Sequence, residues 1–176
     1  MLFAEHGFHA TGIDRILAES GIAKKTLYNH FRTKEALILE VLRQHNTEFR
    51  DYFVSQVEAC SEDPQQRLLA IFDVAEAWFS LSDFFGCLFI NAIVEHSEQG
   101  TAIRDVCREY KSLVRDYIES LAVSADVADP GVLADELALL LEGAIVTAQV
   151  SVNPNAAKTA KQIAATLIAK SMKPEN

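Results

Sequence analysis

Residues 11–35 read TGIDRILAESGIAKKTLYNHFRTKE, and the apolar positions in this stretch are spaced for two short helices joined by a tight turn. Ile13, Ile16 and Leu17 fall on one face of the first helix, which ends near Ser20-Gly21. Gly21 offers the left-handed backbone that a tight turn needs and that side-chain-bearing residues avoid. Ile22 and Leu27 are placed to lock the second helix, running from about Lys24 to Phe31, across that turn. Thr11 with Asp14 predicts an N-terminal capping pair for the first helix. With Leu27 turned inward, Lys24, Lys25, Thr26, Tyr28, Asn29 and His30 are left on the free face. These are donors and an aromatic, suited to phosphates and base edges of a nucleic acid. The alternatives are a solvated helix start for Lys24-Lys25, edge packing for Tyr28, a local helix-end partner for His30 and plain solvation for Asn29.

Outward from this segment, apolar residues recur at helical spacing, and no stretch alternates with period two for long enough to make a convincing strand. The expected fold class is all-α. A short helix covers Met1 to about Glu5 and is closed by Gly7. A long helix begins after Thr33, whose hydroxyl can cap it, and carries Leu37, Val41, Leu42, Phe49, Phe53 and Val57 on one side. Pro64 suits the first turn of a helix reaching about Ser80. Gly86 to His96 reads as an apolar helix, and Ala102 to Ala122 as a long one with a buried stripe of Ile103, Val106, Tyr110, Leu113, Tyr117 and Leu121. Pro130-Gly131 opens a further helix through Val150, and Asn153-Pro154-Asn155 breaks the chain before a last one from about Ala156 to Ser171.

The chain has 176 residues, 49% of them hydrophobic, enough to bury a sizeable core. No stretch approaches a membrane span and no signal peptide is visible at the start, so a cytoplasmic location is expected and no membrane partner. Cys60, Cys87 and Cys107 show no metal or redox spacing and read as reduced core thiols. A formal net charge of −9 argues against nucleic-acid binding for the chain as a whole. Its distribution reverses that argument: residues 1–45 hold six Lys/Arg against five Asp/Glu, a net of +1, which leaves −10 on residues 46–176. Such an asymmetry steers one end of the molecule toward DNA.

Four stretches occur in order: LFAEHGF at 2–8, TGIDRILAESG at 11–21, AKKTLYNHF at 23–31 and TKEAL at 33–37. Together they resemble the TetR/AcrR family of transcriptional regulators over residues 2–42. The resemblance implies a helix-turn-helix DNA-binding domain at 1–45 and a helical ligand-binding and dimerisation domain at 46–176. It implies that Thr11, Lys24, Tyr28, His30 and Lys34 grip the DNA backbone, while Lys25, Thr26 and Asn29 sit nearest the bases. Lys34 would add its charge to the positive N-terminal end of the long helix, a favourable phosphate seat. Members of the family usually have a complete first helix, often preceded by a basic arm, whereas this sequence keeps only the end of that helix. Either the start is truncated or the DNA-binding module is marginal, and the rival expectation for the second case is a dimeric small-molecule binding protein with impaired DNA binding. Ala23 also replaces the usual Ser or Thr N-cap of the recognition helix, a loss of about 1 kcal/mol.

In the larger domain, Gly86-Cys87-Leu88-Phe89-Ile90-Asn91-Ala92 followed by Glu95 resembles a segment seen in many family members. Trp78, Phe79, Phe85, Phe89, Asn91, Glu95, Tyr110 and Tyr117 are candidates for lining an effector cavity, because such sites combine large apolar groups with a few polar ones. Core packing explains the aromatics equally well. A metal on Glu95-His96 lacks a third ligand, so no metal and no cofactor are expected. The five histidines belong to no nucleophile or phosphate motif, and no enzyme activity is expected.

The helix from Leu133 to Val150 is apolar nearly all round and needs cover on several faces. Leu137, Leu140, Leu141, Ala144, Ile145 and Ala148, with Ile163, Ala164, Leu167 and Ile168, mix bulky and small side chains, and Gly143 permits close helix approach. The resemblance implies that the last two helices pair with their symmetry mates as a four-helix bundle, and these sequences permit that homodimer contact. The expected partners are a double-stranded, roughly palindromic DNA operator and a small apolar or amphipathic effector whose binding releases it.

Overall fold

The computed structural model describes residues 2–96, 98, 100–151, 153 and 155–173. Met1 of the first predicted helix and Pro154 of the predicted break lie outside the described residues. The helices, in chain order, are α1 (Leu2–His6), α2 (Ile13–Ser20), α3 (Lys24–His30), α4 (Lys34–Cys60), α5 (Pro64–Phe79), α6 (Leu88–Glu95), α7 (Ala102–Ser124), α8 (Pro130–Ser151) and α9 (Asn155–Ser171). Among the described residues the only β-type pairing is an isolated bridge between Val127 and Met172. The all-α expectation holds.

Local chemistry accounts for several of the boundaries. The Thr33 hydroxyl accepts the Ala36 N–H at 3.1 Å at the start of α4, as expected. Asp63 caps α5 by accepting the Gln65 N–H at 2.9 Å, with Pro64 in the first turn where its missing N–H costs nothing. Thr11 departs from expectation. Gly12 occupies the N-cap position of α2 and no side chain caps that helix. The Thr11 side chain is fully buried and its hydroxyl donates to the Gly7 carbonyl at 2.6 Å. A carbonyl just after the preceding helix has captured a group whose local pattern suits a cap. The apolar helix α6 begins two residues later than Gly86, because Cys87 is extended.

The chain divides into two compact units, Met1–Glu48 with Cys87–Tyr110, and Phe49–Gly86 with Lys111–Asn176. The boundary expected at residues 45–46 falls within α4, and the first unit takes in α6 and the beginning of α7. Its core is built on Phe3, Phe8, Leu27, Ile38, Leu42, Leu88, Phe89, Val106 and Tyr110. In the second unit α5, α8 and α9 pack against one another. They bury Leu68, Ile71, Phe72, Leu133, Leu137, Leu141, Ala157, Ala164 and Ile168, with Ile118 and Leu121 of α7. An Arg115 guanidinium on α7 ties Glu119 of its own helix to Asp135 of α8, the latter at 2.7 Å, and Lys111 holds Glu142 at 2.6 Å.

Two sequence expectations are corrected by this packing. Leu137, Leu141, Ala144, Ile145, Ala148, Ala164 and Ile168 are buried within their own chain, so they are not the surface available to a partner. Of the expected contact residues Ile163 and Gly143 are exposed, and the other large exposed apolar residues of these helices are Val132, Leu139, Val146 and Val150. A helix that is apolar all round gives no clue in its periodicity to which face its own chain uses. Cys87 and Cys107 are buried thiols, but Cys60, at the last residue of α4, is exposed and donates only to the Gln56 carbonyl.

Candidate nucleic-acid interface

The turn between α2 and α3 is made by Gly21, whose φ of +68° puts it in the left-handed region while its N–H donates to the Leu17 carbonyl at 3.0 Å. This is the close of a helix that only glycine takes up without steric cost. Leu27 is the one buried residue of α3. Lys24, Lys25, Thr26, Tyr28, Asn29 and His30 are all exposed, as the spacing predicted. Ile22 does not join Leu27 in the core: it is 40% exposed. The α2 face is only partly covered, with Ile13, Ile16 and Leu17 half-buried.

The electrostatics favour an anion at this end of the first unit. Lys24 has only a long, exposed contact to Asp14 at 3.6 Å, so its charge remains available. Arg32 is exposed directly after α3. Lys34, half-buried at the first residue of α4, donates to the His9 carbonyl at 3.3 Å. The carboxyl of Glu35, one residue on, is held below its ordinary range, chiefly by the backbone N–H at its own position and next by the Thr33 hydroxyl. The α4 N-terminus thus favours negative charge, and Glu35's own carboxylate answers to it. Thr11, expected to grip the DNA backbone, is fully buried, so its side chain is not on the surface offered to DNA; its hydroxyl donates to the Gly7 carbonyl.

Ala23 stands at the N-cap of α3 with φ −72° and ψ 143° and no side-chain hydrogen bond. That backbone is the one capping serines adopt. Ala23→Ser is expected to stabilise the first unit by about 0.5–1 kcal/mol, read as a rise in the denaturation midpoint at unchanged denaturant slope.

The remaining candidates divide between the units. In the second, Trp78 packs on Phe49 (centroids 4.9 Å), Phe79 (5.6 Å) and Phe84 (5.0 Å). Phe85 accepts the Gln149 amide on its carbonyl at 3.2 Å. Tyr117 keeps its hydroxyl buried with no hydrogen-bond partner among the described residues, and that burial, then the Glu58 charge, pushes it up to about 12. In the first unit, Phe89 stacks on Tyr110 at 3.8 Å and on His45 at 5.7 Å, and burial pushes the His45 imidazole below its ordinary range. Asn91 lies half-buried on α6. Glu95, on the last turn of α6, turns its carboxylate to the backbone after α1. Phe49 and Phe84 join the Trp78 cluster although neither is a cavity candidate from the sequence, where Phe49 reads as part of a core stripe. Asn46, whose buried side-chain oxygen also lacks a partner among the described residues, gave no sequence signal. Among those residues no cluster of three or more His, Cys, Asp or Glu has the geometry to hold a metal ion, and no helix is long and apolar enough to cross a membrane.

An exposed, cation-bearing helix locked by one leucine across a glycine turn defines the helix-turn-helix class of DNA-binding proteins. The family model described as bacterial regulatory proteins, tetR family, matches residues 1–41, and that of the tetracyclin repressor-like C-terminal domain matches residues 64–164. The chain belongs to the tetR family of bacterial transcriptional regulators. Among curated relatives, the HTH-type transcriptional repressor DhaR of Mycobacterium sp. (strain GP1) is 28% identical over 160 residues, 86% of this chain and 79% of that protein. The HTH-type transcriptional regulator LmrA of Bacillus subtilis is 31% identical over 123 residues, 68% of this chain and 65% of the relative. The crystal structure of SCO4454, a TetR-family regulator from Streptomyces coelicolor, shares the fold with a TM-score of 0.88 at 23% identity, covering 98% of this chain and 90% of that one. Escherichia coli NemR in its reduced form gives 0.84 at 20% identity, covering 94% and 90%.

Proposed function

We propose that the chain is a repressor that binds a roughly palindromic operator as a homodimer and is released by a small apolar or amphipathic effector. The observation that carries the DNA-binding part is the fully exposed outer face of α3 beside the anion-favouring start of α4. In this reading Lys24, Tyr28, His30 and Lys34 hold phosphates, Lys25, Thr26 and Asn29 face base edges, and Thr11 acts indirectly by fixing the segment after α1. Residues 1–45 form the reading head and residues 46–176 supply dimerisation and the effector site. The Trp78 cluster offers an effector large apolar contacts, and the unpartnered Tyr117 hydroxyl is a separate candidate for a polar anchor. The effector acts only through its different affinity for the DNA-competent and incompetent conformations.

The test is fluorescence anisotropy on the DNA flanking the protein's own gene, over a salt series. Selective binding that weakens steeply with salt is expected. Lys34→Ala should weaken binding to all sequences and lower the salt slope by about one unit per subunit, whereas Asn29→Ala should cost about 1–3 kcal/mol on the preferred sequence only. Binding without preference for that DNA, or a salt slope unchanged in Lys34→Ala, would refute the assignment.

A further inference from the structure

We propose that Glu95 is a positioning residue of the DNA-reading head: its carboxylate, carried on the last turn of α6, clamps the backbone that follows α1 and so holds the platform on which Lys34 and Thr11 are set. The consequence for DNA rests on the function proposed above; the clamp itself does not.

The geometry is that of a built anion seat filled by the protein's own side chain. Glu95 Oε1 accepts the Phe8 N–H at 2.8 Å and Oε2 accepts the His9 N–H at 2.6 Å, across 87 and 86 residues of sequence. Two successive backbone donors aimed at one carboxylate are charge-assisted bonds, stronger than neutral ones and specific in direction. The loop is shaped for this approach. Gly7 has φ +83°, and a Cβ there would lie 2.9 Å from Glu95 Oε1. His9 Nδ1 stands 3.1 Å from Oε2, and its ring stacks on that of His96 at 5.1 Å.

The carbonyls of the same loop are used as well. Gly7 accepts the Thr11 hydroxyl and His9 accepts the Lys34 ammonium. Glu95 therefore holds the donors, and two residues of the proposed interface hold the acceptors, of a single three-residue segment. A surface ion pair between side chains would tolerate replacement with little effect. Here, loss of the carboxylate leaves two amides without their acceptor and frees the loop that Lys34 leans on. Glu35 of α4, His96 and Glu98 after α6, and His9 face Glu95 around a cavity of about 570 Å³. Partial burial acts to raise the Glu95 carboxyl, but the His9 and Phe8 N–H groups and the His9 ring outweigh it and hold it below its ordinary range.

The experiment compares the full chain with Glu95→Gln and Glu95→Ala in two readouts. In amide NMR at neutral pH, the Phe8 and His9 N–H signals should lie far downfield and move together as acid protonates one carboxyl below the usual range. In Glu95→Gln that shared titration should vanish, which a merely space-filling role would not produce. On the DNA flanking its own gene, Glu95→Ala should bind about tenfold or more weakly, and Glu95→Gln less so because its amide oxygen still accepts one N–H, both with unchanged helical content. Persistence of the shared titration in Glu95→Gln overturns the clamp; wild-type DNA affinity in Glu95→Ala overturns its role in the head. If the unaltered protein shows no preference for that DNA, the regulator reading fails, and the titration alone decides whether Glu95 positions the loop.

Discussion

Phe8→Ala is expected to destabilise the first unit by about 3–5 kcal/mol, toward the upper end of that range. The ring is fully buried, stacks on Phe3 at 5.1 Å and meets the His96 ring edge-on at 5.7 Å. Large-to-small substitutions cost least where the surroundings can collapse into the space, and here they cannot. The Phe8 N–H is held by Glu95 and the preceding carbonyl by Thr11, so the backbone is anchored on both sides of the missing ring. A domain's whole stability is about 5–15 kcal/mol, so the head should be substantially unfolded in mild denaturant and DNA binding lost with it. Urea titration followed by circular dichroism measures the loss. Val94→Ala on the exposed side of α6 is the control, expected to change stability by less than about 0.5 kcal/mol. A Phe8→Ala variant no less stable than that control would mean that the α1–α2 junction is not part of the cooperative core.

What could be read in advance follows from the range of the interactions involved. The Pro64 start of α5, the Thr33 cap and the Gly21 turn are decided within four residues, and each was legible. So was the outward face of α3, because one buried leucine in a seven-residue helix fixes the opposite side. Three features were not, each for a nameable reason. Thr11 matches a capping pattern, but its hydroxyl found a closer acceptor in the Gly7 carbonyl. Glu95 shares a helical face with Asn91 and so reads as a polar lining group, whereas its partners lie 86 and 87 residues away. The face that α8 spends on its own chain is set by α5 and α9. Composition alone could not separate it from the face left to solvent.

That last distinction leads to the second large expected effect, on assembly. Leu139, Val146 and Val150 are 75%, 42% and 77% exposed, and with Gly143 they follow one another at helical spacings of four, three and four. Ile163 of α9, which packs against α8, is also exposed. A contiguous apolar surface of this kind marks an association site, and Gly143 in its middle lets a second helix approach closely. In a two-fold interface the same residues of both copies meet, so Leu139→Glu with Val146→Glu would force four carboxylates into a desolvated contact. The double variant is expected to sediment as a folded monomer, since neither position supports its own chain's core. A monomer brings one recognition helix instead of two, and operator affinity should then fall by about 10²-fold or more through loss of effective concentration. Sedimentation and anisotropy on the same samples separate the steps. A variant that remains dimeric places the interface on another surface, whereas a monomer that keeps full operator affinity would show that each head binds alone and that the palindromic, two-headed reading is wrong.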